Sequence, residues 1–279
     1  MEDKTIHRKF IQALPSDNPY LSQEYIGVLK ETFAHRPELL EAYLYGSWDA
    51  LEGADQIIKA QWLREAAGKT IQGLSRHPRL ACDTAGFGDD ETVIMYAETT
   101  DIEEQWIMPY CDFPVLVDKL AQLSVLKHNC PIALEQTGGD IGFCAARSLS
   151  AQGKKVIIYT PQGKSGRPNM FYNLRSEIWS TGAEKLSRGH VQLKMEDLSQ
   201  SDRDKVIRQL TTPKYKYRNG KTLVEPKSEI KKRLGNSPDR GDCYVILLWS
   251  YDKAPAIDDF RVYEEDMSVA DSYATVSVI

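Results

Sequence analysis

Two short apolar runs between Arg79 and Ala97 frame a turn and leave a carboxylate at its edge. The first, Leu80-Ala-Cys82, ends in Asp83. The turn carries Gly86 and Gly88, and the second run spans Thr92 to Ala97. This pattern reads as a β-hairpin with strands over about 79–83 and 91–98. An ionised carboxylate is expensive in a core unless it is paired or binds a cation. Asp83 is therefore badly placed for packing and well placed for a divalent metal. Pro131-Ile-Ala-Leu-Glu135 repeats the design, a short buried strand that ends in an acid.

The segments around these strands predict an α/β fold class, a mixed β-sheet flanked by helices with an added basic β-hairpin. A third strand over about 104–108 completes an antiparallel meander. Phe113 to Lys127 is expected to be a helix with an apolar face of Leu116, Leu120, Leu123 and Leu126. Thr137-Gly-Gly-Asp140 turns into a helix over about 141–152, and Lys155 to Tyr159 is another buried strand. The step from 131 to 159 should then be a right-handed parallel crossover. A helix is expected over Asn169–Ser180. Lys214 to Val224 reads as a hairpin turning on Asn219-Gly220, where both residues tolerate positive φ. Ser237 to Trp249 opens with a cap and a proline and runs into an apolar helix. Upstream, a turn at Pro15–Pro19 and helices over Ser22–Phe33 and from Pro37 to Leu44 suggest a connective segment. The division is residues 1–75, a helical linker; 76–250, the sheet domain; and 251–279, an acidic tail.

Several function classes are excluded. No apolar run is long enough to span a membrane, and the charged start Met1-Glu-Asp-Lys is not a signal peptide. The five cysteines lack Cys-x-x-Cys spacing, and the histidines lack ligand spacing. A disulfide framework and a zinc site are not expected. Gly68-Lys-Thr70 and Gly163-Lys-Ser165 end like phosphate-binding loops. The required earlier glycines are replaced by Leu63 and Ile158, so no ATPase site is expected. The net charge of −5 averages two opposed regions. Lys205 to Arg240 holds eleven Lys or Arg against three acids, whereas Tyr251 to Ile279 holds seven acids against two bases. Lys214, Lys216, Arg218 and Lys221 interleave with Tyr215 and Tyr217, and Lys231-Lys232-Arg233 follows. Such a surface suits sequence-tolerant contact with phosphates, though a solvated ribbon has the same composition.

Cutting a phosphodiester takes an activated water and relief of phosphate charge, which two divalent ions about 4 Å apart supply. Magnesium takes oxygen ligands and keeps some waters, so a few clustered carboxylates suffice. If the strands ending in Asp83 and Glu135 are neighbours, their acids share one sheet end. Asp239 and Asp242, three apart at the start of the last helix, can join them. The alternative is that these acids cap helices and fill turns. Asp89, Asp90 and Asp140 fit that role, Asp140 stands in reserve for Glu135, and Asp239 fits either a cap or a ligand.

The chain also resembles the C-terminal nuclease part of bacteriophage large terminases. The similar stretches run in family order. They are Lys9-Phe-Ile, Asp17-Asn-Pro-Tyr-Leu21 and Tyr45-Gly-Ser-Trp-Asp49; Asp83 to Thr92; Ile132 to Gly142; Phe171 to Trp179, with Asn173, Arg175 and Glu177; and Lys227 to Asp242. The resemblance implies an RNase H-like fold and a two-metal endonuclease using Mg²⁺ or Mn²⁺. It implies action on concatemeric double-stranded DNA during genome packaging in the cytoplasm of an infected bacterium. It makes Asp83, Glu135 and Asp242 catalytic metal ligands, with Asp239 assisting. Many members have Asp where this chain has Glu135. Complete large terminases also carry an N-terminal ATPase, which suggests an excised domain or a separately encoded nuclease piece. The resemblance further suggests an ATPase domain or subunit, the portal and the small terminase as partners, with the acidic tail toward the portal. Two other readings stay open: an RNase H-like junction resolvase, or a non-catalytic DNA- or portal-docking module.

Overall fold

The structure is a computed structural model that describes residues 14–33, 40, 43–45, 55–74, 76–85, 90–109, 111–136 and 141–253. The chain divides into two compact units, Met1–Gln56 and Ile57–Ile279. In the first, helix α1 (Gln23–Thr32) starts on Ser22, whose hydroxyl accepts the Tyr25 N–H at 3.3 Å. The Phe33 and Tyr43 rings stack 5.0 Å apart. Most of the helix expected from Pro37 to Leu44, and the tail beyond Lys253, lie outside the described residues.

The second unit opens with α2 (Ala60–Gly68). Its sheet is built from β1 (Arg79–Asp83), β2 (Thr92–Ala97), β3 (Glu104–Met108), β4 (Ile132–Glu135) and β5 (Val156–Tyr159). The strand order is β3-β2-β1-β4-β5. The first three strands form the antiparallel meander, while β1–β4 and β4–β5 pair parallel, as expected for a crossover through a helix. The strands read as nearly continuous apolar runs because both faces are covered. Leu80, Cys82, Ile94, Tyr96, Ile132 and Leu134 face α3 (Phe113–Leu126) and α4 (Ile141–Ala151). Ala81, Val93, Met95, Ala133 and Tyr159 join the opposite core with α5 (Leu174–Ser187), α6 (Gln200–Thr211) and the final helix, α8 (Asp239–Ser250).

All twelve residues of α8 are buried. It packs on β1 and β2, where Cys243 lies 3.4 Å from the carbonyls of Ala81 and Val93. Each fully buried Leu or Ile on such a helix stabilises by about 1.5–3 kcal/mol. The predicted side-chain cap is absent, because the residue before the helix is Pro238. The buried Gln209 of α6 replaces it. Its Oε1 accepts the N–H groups of Arg240 (2.7 Å) and Gly241 (3.2 Å), which satisfies donors that every helix start leaves open.

Other details differ from expectation. Leu126 ends α3 exposed at 72%, so its inward face consists of Leu116, Leu120 and Leu123. α5 begins at Leu174 and continues to Ser187. Asn173, in extended conformation, accepts the Ser176 N–H at 2.9 Å and starts the helix there. Residues before it pair instead with the hairpin: Tyr172 N–H donates to Thr222 O (3.0 Å) and Thr222 N–H to Met170 O (2.8 Å). That hairpin, β6 (Tyr215–Arg218) and β7 (Lys221–Val224), turns on Asn219 (φ 52°) and Gly220 (φ 73°), both in the left-handed region the sequence predicts. α7 (Lys227–Leu234) then leads toward α8.

Candidate metal centre

β1 and β4 are adjacent and parallel, with Cys82 opposite Leu134, so Asp83 and Glu135 emerge together at one sheet end. Their exposures are 2% and 3%. The end of β4 is crowded: Thr84 Oγ1 donates to Glu135 O at 3.3 Å, and α4 starts against it. A Cβ on Gly142 would lie 2.1 Å from that carbonyl, so only glycine permits this approach. Asp242, 3% exposed, arrives from the first turn of α8.

The three acids meet at a lysine. Lys227, the first residue of α7, places Nζ 3.1 Å from Asp242 Oδ2, 3.6 Å from Asp83 Oδ2 and 3.9 Å from Glu135 Oε2. Three carboxylates against the Lys227 ammonium and the Arg175 guanidinium, 3.4 Å from Asp242 Oδ1, leave an excess of acid in the pocket. Asp83 Oδ1 and Glu135 Oε2 are buried without a hydrogen bond, and Asp242 Oδ2 has only the Lys227 ammonium, 3.1 Å away. Burial, followed by the Glu135 charge, pushes the Asp83 carboxyl well above the usual range, against the pull of Lys227. Asp242 moves the other way: burial would raise it, but Lys227, Arg175 and the Trp179 N–H outweigh that penalty. Burial opposes the Lys227 charge, yet the surrounding acids lift its pKa well above the ordinary value.

This donor set fits a hard divalent cation. The ligands are oxygens, several buried lone pairs have no donor, and an ammonium already marks the centre of positive charge. Among the described residues, no three His, Cys, Asp or Glu side chains stand in the tight grouping of a preformed metal cage. The carboxylates are spread around the Lys227 head instead.

The remaining predicted residues fall into place as follows. Asp239 Oδ2 accepts the Glu91 N–H at 3.0 Å and is not among the ion pairs of Lys227. Burial pushes its carboxyl up to about 6. It stands one helical turn from Asp242 and ties α8 to the strand entering β2. Asp140 and Asp89 lie outside the described residues; Asp90 accepts from Lys231 at 2.6 Å. Lys232 pairs with Glu229 at 2.7 Å and Arg233 with Glu225. On the hairpin, Lys216, Arg218 and Lys221 share one face, since Arg218 opposes Lys221 across the ladder and Lys216 lies two residues away. The Arg218 guanidinium sits 4.8 Å from the Tyr172 ring centroid. Lys214, at the hairpin root, donates its backbone N–H to Glu225 Oε1 at 2.7 Å.

Sequence reasoning missed Lys227, Arg175 and Trp179 as members of this site. All three lie in the family-like stretches Phe171–Trp179 and Lys227–Asp242, but nothing in those stretches assigns them to the acids, and tertiary packing brings them to Asp242.

Neither a protein-family model nor a curated protein matches the sequence. Among solved structures, the chain is similar to the nuclease domain of the large terminase subunit gp2 of bacterial virus Sf6. The match has 18% identity, covers 72% of this chain and 99% of that one, and has a TM-score of 0.59. A mutant of that Sf6 domain with manganese and beta-thujaplicinol matches at 18% identity over the same shares, TM-score 0.58. A mutant gp2c of the Sf6 large terminase subunit with calcium matches at 17% identity, over 69% of this chain and 98% of that one, TM-score 0.58. The chain therefore shares the mixed-sheet fold of those nuclease domains, the fold class expected from the sequence.

Proposed function

We propose that this chain is a divalent-metal-dependent DNA endonuclease of a phage packaging machine, cutting double-stranded concatemers by two-metal hydrolysis. One observation carries the reading: three buried carboxylates from β1, β4 and α8 converge on a single ammonium with lone pairs to spare. Asp83, Glu135 and Asp242 would hold the cations, with Asp239 beside them. Mg²⁺ or Mn²⁺, when bound, activates water and neutralises the scissile phosphate. Lys227 holds Asp242 charged and gathers the three acids before that, and its ammonium then lies within reach of the phosphate.

The basic face of Lys216, Arg218 and Lys221 would take the DNA backbone, with Lys214 at its root. Lys231, Lys232 and Arg233 sit on neighbouring α7, each beside an acid that a phosphate can replace. Phosphate contacts carry no base information, so cutting should be nearly sequence-neutral. By resemblance, an ATPase domain or subunit, the portal and the small terminase are its partners in the infected cytoplasm. No helix among the described residues is long and apolar enough to cross a membrane.

Lys227 also favours a second reading, in which the ammonium permanently replaces the cation and the domain only docks DNA. Supercoiled plasmid incubated with Mg²⁺ or Mn²⁺, beside EDTA and Asp83→Ala controls, separates the two. Metal-dependent cutting that disappears in both controls supports the nuclease. Intact plasmid under every metal, with DNA binding unchanged in EDTA, supports docking.

A further inference from the structure

Asp242 is held asymmetrically. Both neutral and charged donors from α5 converge on one of its oxygens: Trp179 Nε1–H donates to Oδ1 at 2.7 Å and Arg175 Nη2 at 3.4 Å. The other oxygen, Oδ2, faces only the Lys227 ammonium, 3.1 Å away. Trp179 is fully buried and Arg175 is 6% exposed, so neither donor has water as an alternative partner. The indole reaches Asp242 past Gly241, where a Cβ would come within 3.3 Å of the ring. Core packing alone does not require this contact. Trp249 is 5% exposed in the same core, and its Nε1 has no partner at all.

Arg175 has a second attachment. Its Nη1 donates to Glu225 O at 2.8 Å, just after β7, and the Val224 N–H beside it donates to Ser176 Oγ at 3.1 Å. One side chain thus bonds both the root of the basic hairpin and Asp242.

We propose that Trp179 and Arg175 are positioning residues that lock Oδ1 of Asp242 and turn Oδ2 to the metal, Arg175 also fixing the hairpin root against that ligand. This rests on the metal-dependent reading above. Partners that orient a ligating carboxylate typically set metal affinity by about 10–100-fold when removed.

The test measures Mn²⁺ binding calorimetrically to the full chain without DNA, for wild type, Trp179→Phe and Arg175→Lys. Phe keeps an aromatic ring and removes the N–H; Lys keeps the charge and cannot span both acceptors. Each variant should weaken Mn²⁺ binding by about 10–100-fold while melting cooperatively. Plasmid cutting by Trp179→Phe should recover as Mn²⁺ is raised, because ligand orientation and not the chemical step is impaired. DNA affinity in EDTA should be unchanged for Trp179→Phe and reduced for Arg175→Lys, which loosens the hairpin root. A folded Trp179→Phe that binds Mn²⁺ like wild type overturns the proposal. If Trp179→Phe does not fold, Arg175→Lys decides by the same measurement. A wild type that takes up no Mn²⁺ overturns both the metal reading and this inference. Equal uptake by wild type and variants overturns the inference alone.

Discussion

Glu177 and Asp83 are about equally buried, at 5% and 2% exposure, and their surroundings treat them in opposite ways. Glu177 Oε2 accepts from Ser165 Oγ and from the Gly166 N–H, both at 2.7 Å, and Arg167 Nε lies 4.0 Å from Oε1. Asp83 leaves Oδ1 without a hydrogen bond and shares one ammonium, 3.6 Å from Oδ2, with two other acids. A buried carboxylate with its donors supplied pins a loop to a helix, here residues 165–167 to α5. A buried carboxylate short of donors is destabilising by itself and marks where a cation belongs. Burial is common to both, so the count of donors decides between structure and function.

Substitution at the two positions should break this comparison most visibly. Asp83→Asn should take metal-dependent cleavage to background. It removes one of three crowded acids, so the metal-free melting temperature should equal or exceed that of wild type, the usual trade between stability and a functional site. Glu177→Ala should do the reverse. Losing a buried, hydrogen-bonded charge leaves the Ser165 hydroxyl and the Gly166 N–H with unmet donors, a loss of about 3 kcal/mol. That corresponds to about 6–12 °C in melting temperature for a domain of this size. Cleavage per folded molecule should persist. Melting curves and plasmid assays on the same two variants check both halves; a stabilised Glu177→Ala would sink the distinction.

Gly142→Ala should fall between these cases. The new methyl would collide with the Glu135 carbonyl at 2.1 Å. Overpacking of this kind costs about 1–3 kcal/mol. Here the relief must move the end of β4, so Mn²⁺ binding should weaken together with stability. Stability lost with metal affinity intact would show that α4, not β4, gives way.

The parts of this arrangement that were legible in the sequence are those set by local chemistry. Asp83 and Glu135 ended apolar runs, and strands that end side by side bring such residues together. Asn219-Gly220 announced its turn through backbone sterics. The family-like run from Lys227 to Asp242 held the third acid. The start of α5 was misplaced because Asn173 competes for the helix start and pairing with Thr222 keeps residues 170–172 extended. Lys227, Arg175 and Trp179 stood in family-like stretches, but their contact with the acids was not legible. Asp242 lies 67 positions from Arg175 and 63 from Trp179, and no periodicity encodes contacts of that span. The cap on α8 was hidden for the same reason, since Gln209 donates nothing to its own helix pattern and serves another.

The smallest effect expected lies at that same helix start. Arg240, 4% exposed, donates from Nη1 to Asp202 Oδ1 at 2.5 Å. This hydrogen bond is the leading reason that the Asp202 carboxyl lies below its ordinary pKa. A carboxylate depressed on folding adds stability that is fully present above its unfolded pKa, about 3.9, and lost as pH falls through the lower folded value. The Asp202 side chain is 35% exposed, so screening limits the pair to about 0.5–1 kcal/mol. Asp202→Asn should therefore lower the melting temperature by about 1–4 °C near pH 7. The gap to wild type should begin to narrow below about pH 4 and close only once pH has fallen through the lower folded pKa of Asp202. A gap that stays constant from pH 7 to pH 3 would mean that the contact acts through packing around Arg240. In that case Gln209 alone would orient the helix start that presents Asp242.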